Sequence, residues 1–264
     1  AGGDPAVTVP IAVTAPVGPA GGPLLLLGPS LGTSTILWDD VAPALAERYR
    51  VTRWDLPGHG AAAPARTAFT VGDVADAVAS AVRELADGPV LFAGVSLGGA
   101  VGLELLRRHP GLVSAAAIVC SGARIATPES WRERAAQVRA QSTSSLIIGS
   151  AQRWFAPGSV AAHPVLTGRL LHALQDVDDE SYALCCEALA AYDVRDGLGE
   201  IGVPVLAVWG DHDVVTPEAS AREIAAGVRD GRAAGIPDAS HLAPVDDPAA
   251  VIRLLEDFFE EAGR

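Results

Sequence analysis

The chain contains no lysine and no methionine, and only three cysteines among 264 residues. All 19 basic residues are therefore arginine, against 32 acidic residues and a formal net charge of −13. The missing lysine, together with abundant alanine, points to a biased genome more than to a mechanism. A surface of that sign disfavours nucleic acid and anionic membranes as partners. It also means that an anionic substrate needs an arginine placed locally. Cys120, Cys185 and Cys186 are too few for a disulfide framework, which predicts a reducing, cytoplasmic setting. Cys185 and Cys186 adjoin in a helical pattern and read as packed thiols. No Cys/His grouping has zinc-ligand spacing, so no metal site is expected. No apolar run reaches about 18 residues, which excludes a transmembrane helix, and no secretory signal pattern is visible at the N-terminus. There is no internal repeat and no low-complexity linker.

What is present is alternation. Val7 to Val13 reads as an edge strand. Leu24 to Leu27 is a short continuous apolar run, the pattern of a strand buried on both faces. Trp38 to Glu47 reads as helix, Tyr49 to Trp54 as strand, Val71 to Ala86 as helix, Val90 to Val95 as strand, Ala100 to Arg108 as helix and Ser114 to Cys120 as strand. That order predicts an α/β fold with a mostly parallel central sheet and helices on both faces. From about Thr127 to Asp193 the alternation stops. Trp131–Gln141, Ser145–Phe155, Val165–Gln175 and Glu180–Tyr192 all read as helices, the pattern of an inserted helical cap. The sheet resumes at Val203–Trp209, with a helix from Pro217, a weak strand at Ala233–Ile236 and a last helix over Pro248–Glu261. The expected division is a core of residues 1–126 and 194–264, with a cap of residues 127–193.

The stretch that carries chemistry is Gly94-Val-Ser-Leu-Gly98, a G-x-S-x-G pattern between a buried strand and a helix. The turn it implies is sharp enough that only glycine fits at Gly94 and Gly98. It would hold the Ser96 hydroxyl at a strand end, beside the free N–H of Leu97. Serine needs a base, and the base an orienting carboxylate. Gly210-Asp-His-Asp-Val-Val-Thr-Pro217 follows a core strand and offers Asp211 or Asp213. The spacing favours Asp213, just ahead of the next helix, with Asp211 a turn residue and His212 solvated. Of six histidines, His241 lies after the last strand and suits the base. His109 ends a helix, His163 and His172 lie in the cap, and His59 sits in a Gly-His-Gly loop after a core strand, read as structural with an approach to the site left open. The order Ser96…Asp213…His241 is nucleophile, acid, base. A second oxyanion donor belongs in the loop after Leu27. Pro29 has no N–H, so Leu31 is the candidate.

These motifs resemble the α/β-hydrolases over nearly the whole chain. Ser30-Leu-Gly-Thr33 with Trp38, Gly58-His-Gly60 and Gly94-Val-Ser-Leu-Gly-Gly99 are joined in the cap by Ser130-Trp-Arg-Glu-Arg134, Val138-Arg-Ala-Gln141, Arg153-Trp-Phe155 and Cys185-Cys-Glu-Ala-Leu189. Together they are similar to the 3-oxoadipate enol-lactonases of the β-ketoadipate pathway. The chain departs from that pattern at Pro29, where relatives usually carry asparagine, and near Ser142-Thr143. The resemblance implies a small anionic lactone substrate, an acyl-enzyme on Ser96, and no metal or organic cofactor. Some relatives are fused to a carboxymuconolactone decarboxylase, so such a fusion or association is compatible with this chain. In the cap helix, Trp131, Arg134, Ala135 and Val138 share one face. An arginine on that apolar face is expected to read the substrate carboxylate beside Trp131, with ion pairing to Glu129 or Glu133 as the competing role. Arg132 and Arg139 are expected in solvent. Three other readings stay open: a small-ester esterase, a carbon–carbon bond hydrolase, or a hydrolase-fold receptor that turns its ligand over once or very slowly.

Overall fold

In the computed structural model, which describes residues 8–263, seven strands form one sheet. They are β1 (Ala12–Val13), β2 (Leu24–Gly28), β3 (Arg50–Asp55), β4 (Val90–Val95), β5 (Val113–Val119), β6 (Pro204–Gly210) and β7 (Asp230–Ile236). Their order is β1-β3-β2-β4-β5-β6-β7. Only β1 is antiparallel to its neighbour. β2 and β4, the central pair, are buried at every position, as expected of apolar runs covered on both faces. Each fully buried leucine of β2 contributes about 2 kcal/mol.

The longer core helices are α1 (Val71–Leu85) and α2 (Leu97–Arg108), both after β3, and α7 (Glu218–Gly227) and α8 (Pro248–Ala262) in the C-terminal part. Between β5 and β6 lie α3 (Pro128–Gln141), α4 (Ile147–Trp154), α5 (Pro164–Asp176) and α6 (Asp179–Ala190), with no strand among them. α1 and α3 begin with reciprocal capping boxes, Thr70 with Asp73 and Thr127 with Ser130. α3 and α6 are joined by Arg139, which pairs with Glu180 and Glu187. The insertion is tied to the core by Arg66–Asp178 and Arg169–Asp39. Arg139 is exposed, as its spacing suggests, and is also a cross-helix partner. No helix among the described residues is long and apolar enough to cross a membrane.

Other local expectations also need correction. The helix read over Trp38–Glu47 is two short turns, Thr35–Trp38 and Ala42–Leu45. The Trp38 indole donates to the Gly28 carbonyl at 3.0 Å, which anchors it in the first turn. Ser145–Phe155 likewise divides, with a 3-10 turn at Thr143–Leu146 before α4. α2 starts at Leu97, three residues earlier than its apolar spacing indicates, and β7 starts at Asp230. The N-terminal strand shrinks to Ala12–Val13, and Val7 lies outside the described residues.

The strand order places the site. Going outward from the centre, β2 leads to β3 on one side and to β4 on the other. Parallel sheets leave a crevice at the carboxyl ends where the winding reverses, and ligands settle there. Gly28 of β2 and Gly94 of β4 pair across that line. The turns that follow them carry Leu31 and Ser96.

Candidate active site

Ser96 sits between β4 and α2 with φ 54° and ψ −116°, a conformation that costs a non-glycine residue roughly 1–3 kcal/mol. Its neighbours explain how the strain is kept. A Cβ on Gly94 would stand 2.5 Å from the Gly98 carbonyl oxygen, and one on Gly98 would stand 2.4 Å from that of Pro29. The Ser96 N–H donates to Val119 at 3.0 Å, and its carbonyl accepts from the Ser121 hydroxyl at 2.7 Å. Ser121 is a support that the motif does not reveal.

Asp213, in the loop after β6, and His241, in the loop after β7, meet each other. His241 Nδ1 lies 2.9 Å from Asp213 Oδ2, with both side chains buried. Asp213 also accepts from the Val215 N–H at 2.8 Å, the Thr216 N–H at 3.1 Å and the Thr216 hydroxyl at 2.7 Å. Burial pushes its carboxyl up. The charge of His241 and the hydrogen bonds from His241 and Thr216 outweigh that, and the group lies below its ordinary value. The other candidate acid, Asp211, is exposed and accepts from the Trp209 indole at 2.9 Å. His212 is exposed too. Thr216 was not evident from sequence as part of the constellation; its signal is the Asp-x-x-Thr spacing of a carboxylate-capped turn.

Among the donors in the two turns, most are engaged. Gly98 N–H donates to Pro29 O at 2.9 Å and Thr33 N–H to Ser30 O at 3.0 Å. Ser30 N–H donates to Thr33 Oγ1 at 3.1 Å, and Gly32 N–H to His59 Nε2 at 3.0 Å. Leu97 is the first residue of α2, where N–H groups have no partner within the helix. Leu31 lies in the turn between engaged neighbours.

In the insertion, Trp131 is buried, and its indole donates to Ile125 O at 2.6 Å. The Arg134 guanidinium lies over that ring, 5.2 Å from its centroid. Glu129 is paired with Arg132, so it does not neutralise Arg134. A cavity of about 250 Å³ is lined by Trp131, Arg134, Arg153, Val214 and Val215, among others. Val214 and Val215 directly follow Asp213. Arg153, from α4, was missed as a site residue, although its Arg-Trp-Phe context stands out. Burial and the charge of Arg134 both push its guanidinium down. Among the described residues neither arginine has an ion-pair partner. The two guanidinium groups are half-buried, line the same cavity and repel each other there.

The family model of the α/β hydrolase fold matches residues 23–248. Over 239 residues the chain is 31% identical to 3-oxoadipate enol-lactonase 2 of Acinetobacter baylyi, covering 90% of this chain and 89% of that one. It is 29% identical over 241 residues to 3-oxoadipate enol-lactonase 1 of the same organism, covering 91% and 90%. The crystal structure of the enol-lactonase from Burkholderia xenovorans LB400 superposes with a TM-score of 0.91 at 29% identity, over 97% of this chain and 100% of that one. The chain is thus an enzyme of the α/β hydrolase fold family, a carboxylic ester hydrolase related to the 3-oxoadipate enol-lactonases.

Proposed function

We propose that the protein opens the ring of 3-oxoadipate enol-lactone to give 3-oxoadipate, as a step of the β-ketoadipate pathway. Residues 127–193 act as the cap that binds the substrate. Ser96 is the nucleophile, His241 the base and Asp213 the group that orients it. Ser96 Oγ bonds to the lactone carbonyl carbon as His241 takes its proton. The N–H groups of Leu31 and Leu97 receive the developing oxyanion. The ring C–O bond then breaks, His241 returns the proton, and the tethered enol becomes a ketone. A water activated by His241 attacks the acyl carbon and releases Ser96 with the free acid. These residues complete the cycle with one water consumed and no further group required.

The observation that carries the choice of substrate is the pair Arg134 and Arg153 beside Trp131, an unneutralised cationic pocket on a protein of net charge −13. A neutral ester gives such a pocket nothing to bind. The free carboxylate of the enol-lactone does, and a charge-assisted hydrogen bond of this kind contributes roughly 1.5–3 kcal/mol. Arg134→Leu should therefore lower kcat/KM for the enol-lactone by about 10–150-fold while leaving p-nitrophenyl esters nearly untouched. Equal losses on both substrates would mean that Arg134 supports the insertion and does not read the carboxylate.

A further inference from the structure

His59 is fully buried, yet it is neither the base nor a ligand of anything the mechanism uses. Its surroundings give it a task. Nδ1 lies 2.8 Å from the Pro57 carbonyl, which can only accept. The ring proton is therefore on Nδ1, and Nε2 presents a lone pair. That lone pair receives the Gly32 N–H at 3.0 Å. Gly32 is the third residue of the turn Ser30–Thr33, closed by Thr33 N–H to Ser30 O, and its φ is 82°. This is the type II form, which differs from type I mainly by rotation of the central peptide. In the other form the Leu31 carbonyl would face Nε2, acceptor against acceptor. The imidazole thus selects one orientation of the peptide joining Leu31 to Gly32.

The selector is itself held still. The ring is stacked on Tyr182 of α6, with centroids 6.2 Å apart and planes at 21°. Its loop is pinned by Gly58 N–H to Ala63 O and by Asp178 N–H to Gly58 O. On the far side of the turn, a Cβ on Gly32 would reach 2.8 Å from Leu174 of α5. The turn is clamped between core and insertion, and among the described residues His59 is the only side chain from outside Ser30–Thr33 that hydrogen-bonds its backbone.

We propose that His59 is a positioning residue: through its Nδ1–H tautomer it holds the Gly32 N–H, and thereby fixes the turn that aims the Leu31 N–H at the oxyanion. The inference rests on the reading of Leu31 as an oxyanion donor. It goes beyond that reading by assigning the setting of the donor to a buried histidine outside the catalytic set.

The test compares His59→Leu, which removes the acceptor, with His59→Gln, which restores one at similar reach. Kinetics on p-nitrophenyl acetate keep the two arginines out of the measurement. His59→Leu should lower kcat by roughly 10–100-fold with KM changed less than about twofold, since a misaimed donor acts on the transition state. His59→Gln should recover at least about half of that loss on a logarithmic scale. A His59→Leu enzyme within about twofold of wild-type kcat, or a Gln variant no better than Leu, overturns the proposal. Should His59→Leu fail to fold, 15N NMR of histidine-labelled wild type decides. The resonances absent from His59→Gln must show a proton on Nδ1 and none on Nε2, and a proton on Nε2 at neutral pH refutes the assignment. Ser96→Ala, assayed in parallel, separates the two levels. If it is inactive while His59→Leu is unimpaired, only this inference fails. If it stays active, the reading of the site itself fails.

Discussion

At the scale of single residues, electrostatic asymmetry separates candidates that the sequence leaves side by side. Asp211 and Asp213 are two residues apart, but one is exposed on an indole and the other is buried on an imidazole. Asp213→Asn should lower kcat by roughly 10³–10⁴-fold, through loss of the oriented tautomer and of the carboxylate that stabilises the imidazolium. Asp211→Asn should cost far less, and steady-state kinetics of the two variants ranks them. His59 makes a different, thermodynamic prediction. Burial holds its imidazole at about 4 instead of the ordinary 6.5. Below 6.5 the unfolded chain takes up a proton that the fold refuses until about 4, so stability falls as pH drops through that window. The full effect is about 3 kcal/mol. Urea unfolding at pH 7 and pH 4.5 should show wild type losing about 2 kcal/mol more than His59→Gln. The pairing of Asp213 with His241 was legible because strand ends single both out, and the strained turn at Ser96 because a motif does. Thr216, Ser121 and Arg153 were not, because their roles depend on contacts between segments distant in the chain or on a turn's detailed path.

At the scale of elements, the loop that carries His241 is stitched to the insertion. The Leu242 N–H donates to Trp154 O at 2.9 Å, and the Ser240 hydroxyl donates to Arg153 O at 3.0 Å. Asp246 Oδ2 accepts from Ser240 N–H at 2.7 Å and from Ala156 N–H at 3.1 Å, bridging the two segments. The segment that brings Arg153 to the cavity therefore also braces the loop of His241. Asp246→Ala leaves both N–H groups without their acceptor and should destabilise the protein by about 1–3 kcal/mol. Asp246→Asn keeps an acceptor oxygen and should cost less. Urea unfolding measures both. The strands were legible because continuous apolar runs such as Leu24–Leu27 admit no other placement in a chain this short. The helix read over Trp38–Glu47 was not, because its break is set by an indole reaching back to Gly28. No periodicity encodes that hydrogen bond.

At the scale of the whole molecule, Gly28 and Gly94 pair where the strand order switches, just before the turns of Leu31 and Ser96; the Asp213 and His241 loops meet beyond β6 and β7, and the residues after Asp213 share a cavity with the insertion. The α–β alternation discloses the parallel sheet, and the long strandless segment discloses the insertion. Helical spacing discloses that the Trp131, Ala135 and Val138 face of α3 turns inward, but nothing in the pattern discloses that α4 adds a second arginine. An acidic molecule with a local cationic cavity is suited to discriminate among esters by charge. That charge selection and the role of Ser96 are the two parts of the central claim, and one experiment addresses both. Initial rates on 3-oxoadipate enol-lactone should be measured for wild type and Ser96→Ala, with a neutral p-nitrophenyl ester as reference. The account predicts that wild type turns over the lactone with the higher kcat/KM, and that Ser96→Ala loses about four or more orders of magnitude on both substrates. A Ser96→Ala enzyme that keeps even roughly a tenth of wild-type turnover, or a wild type that prefers the neutral ester, would contradict it.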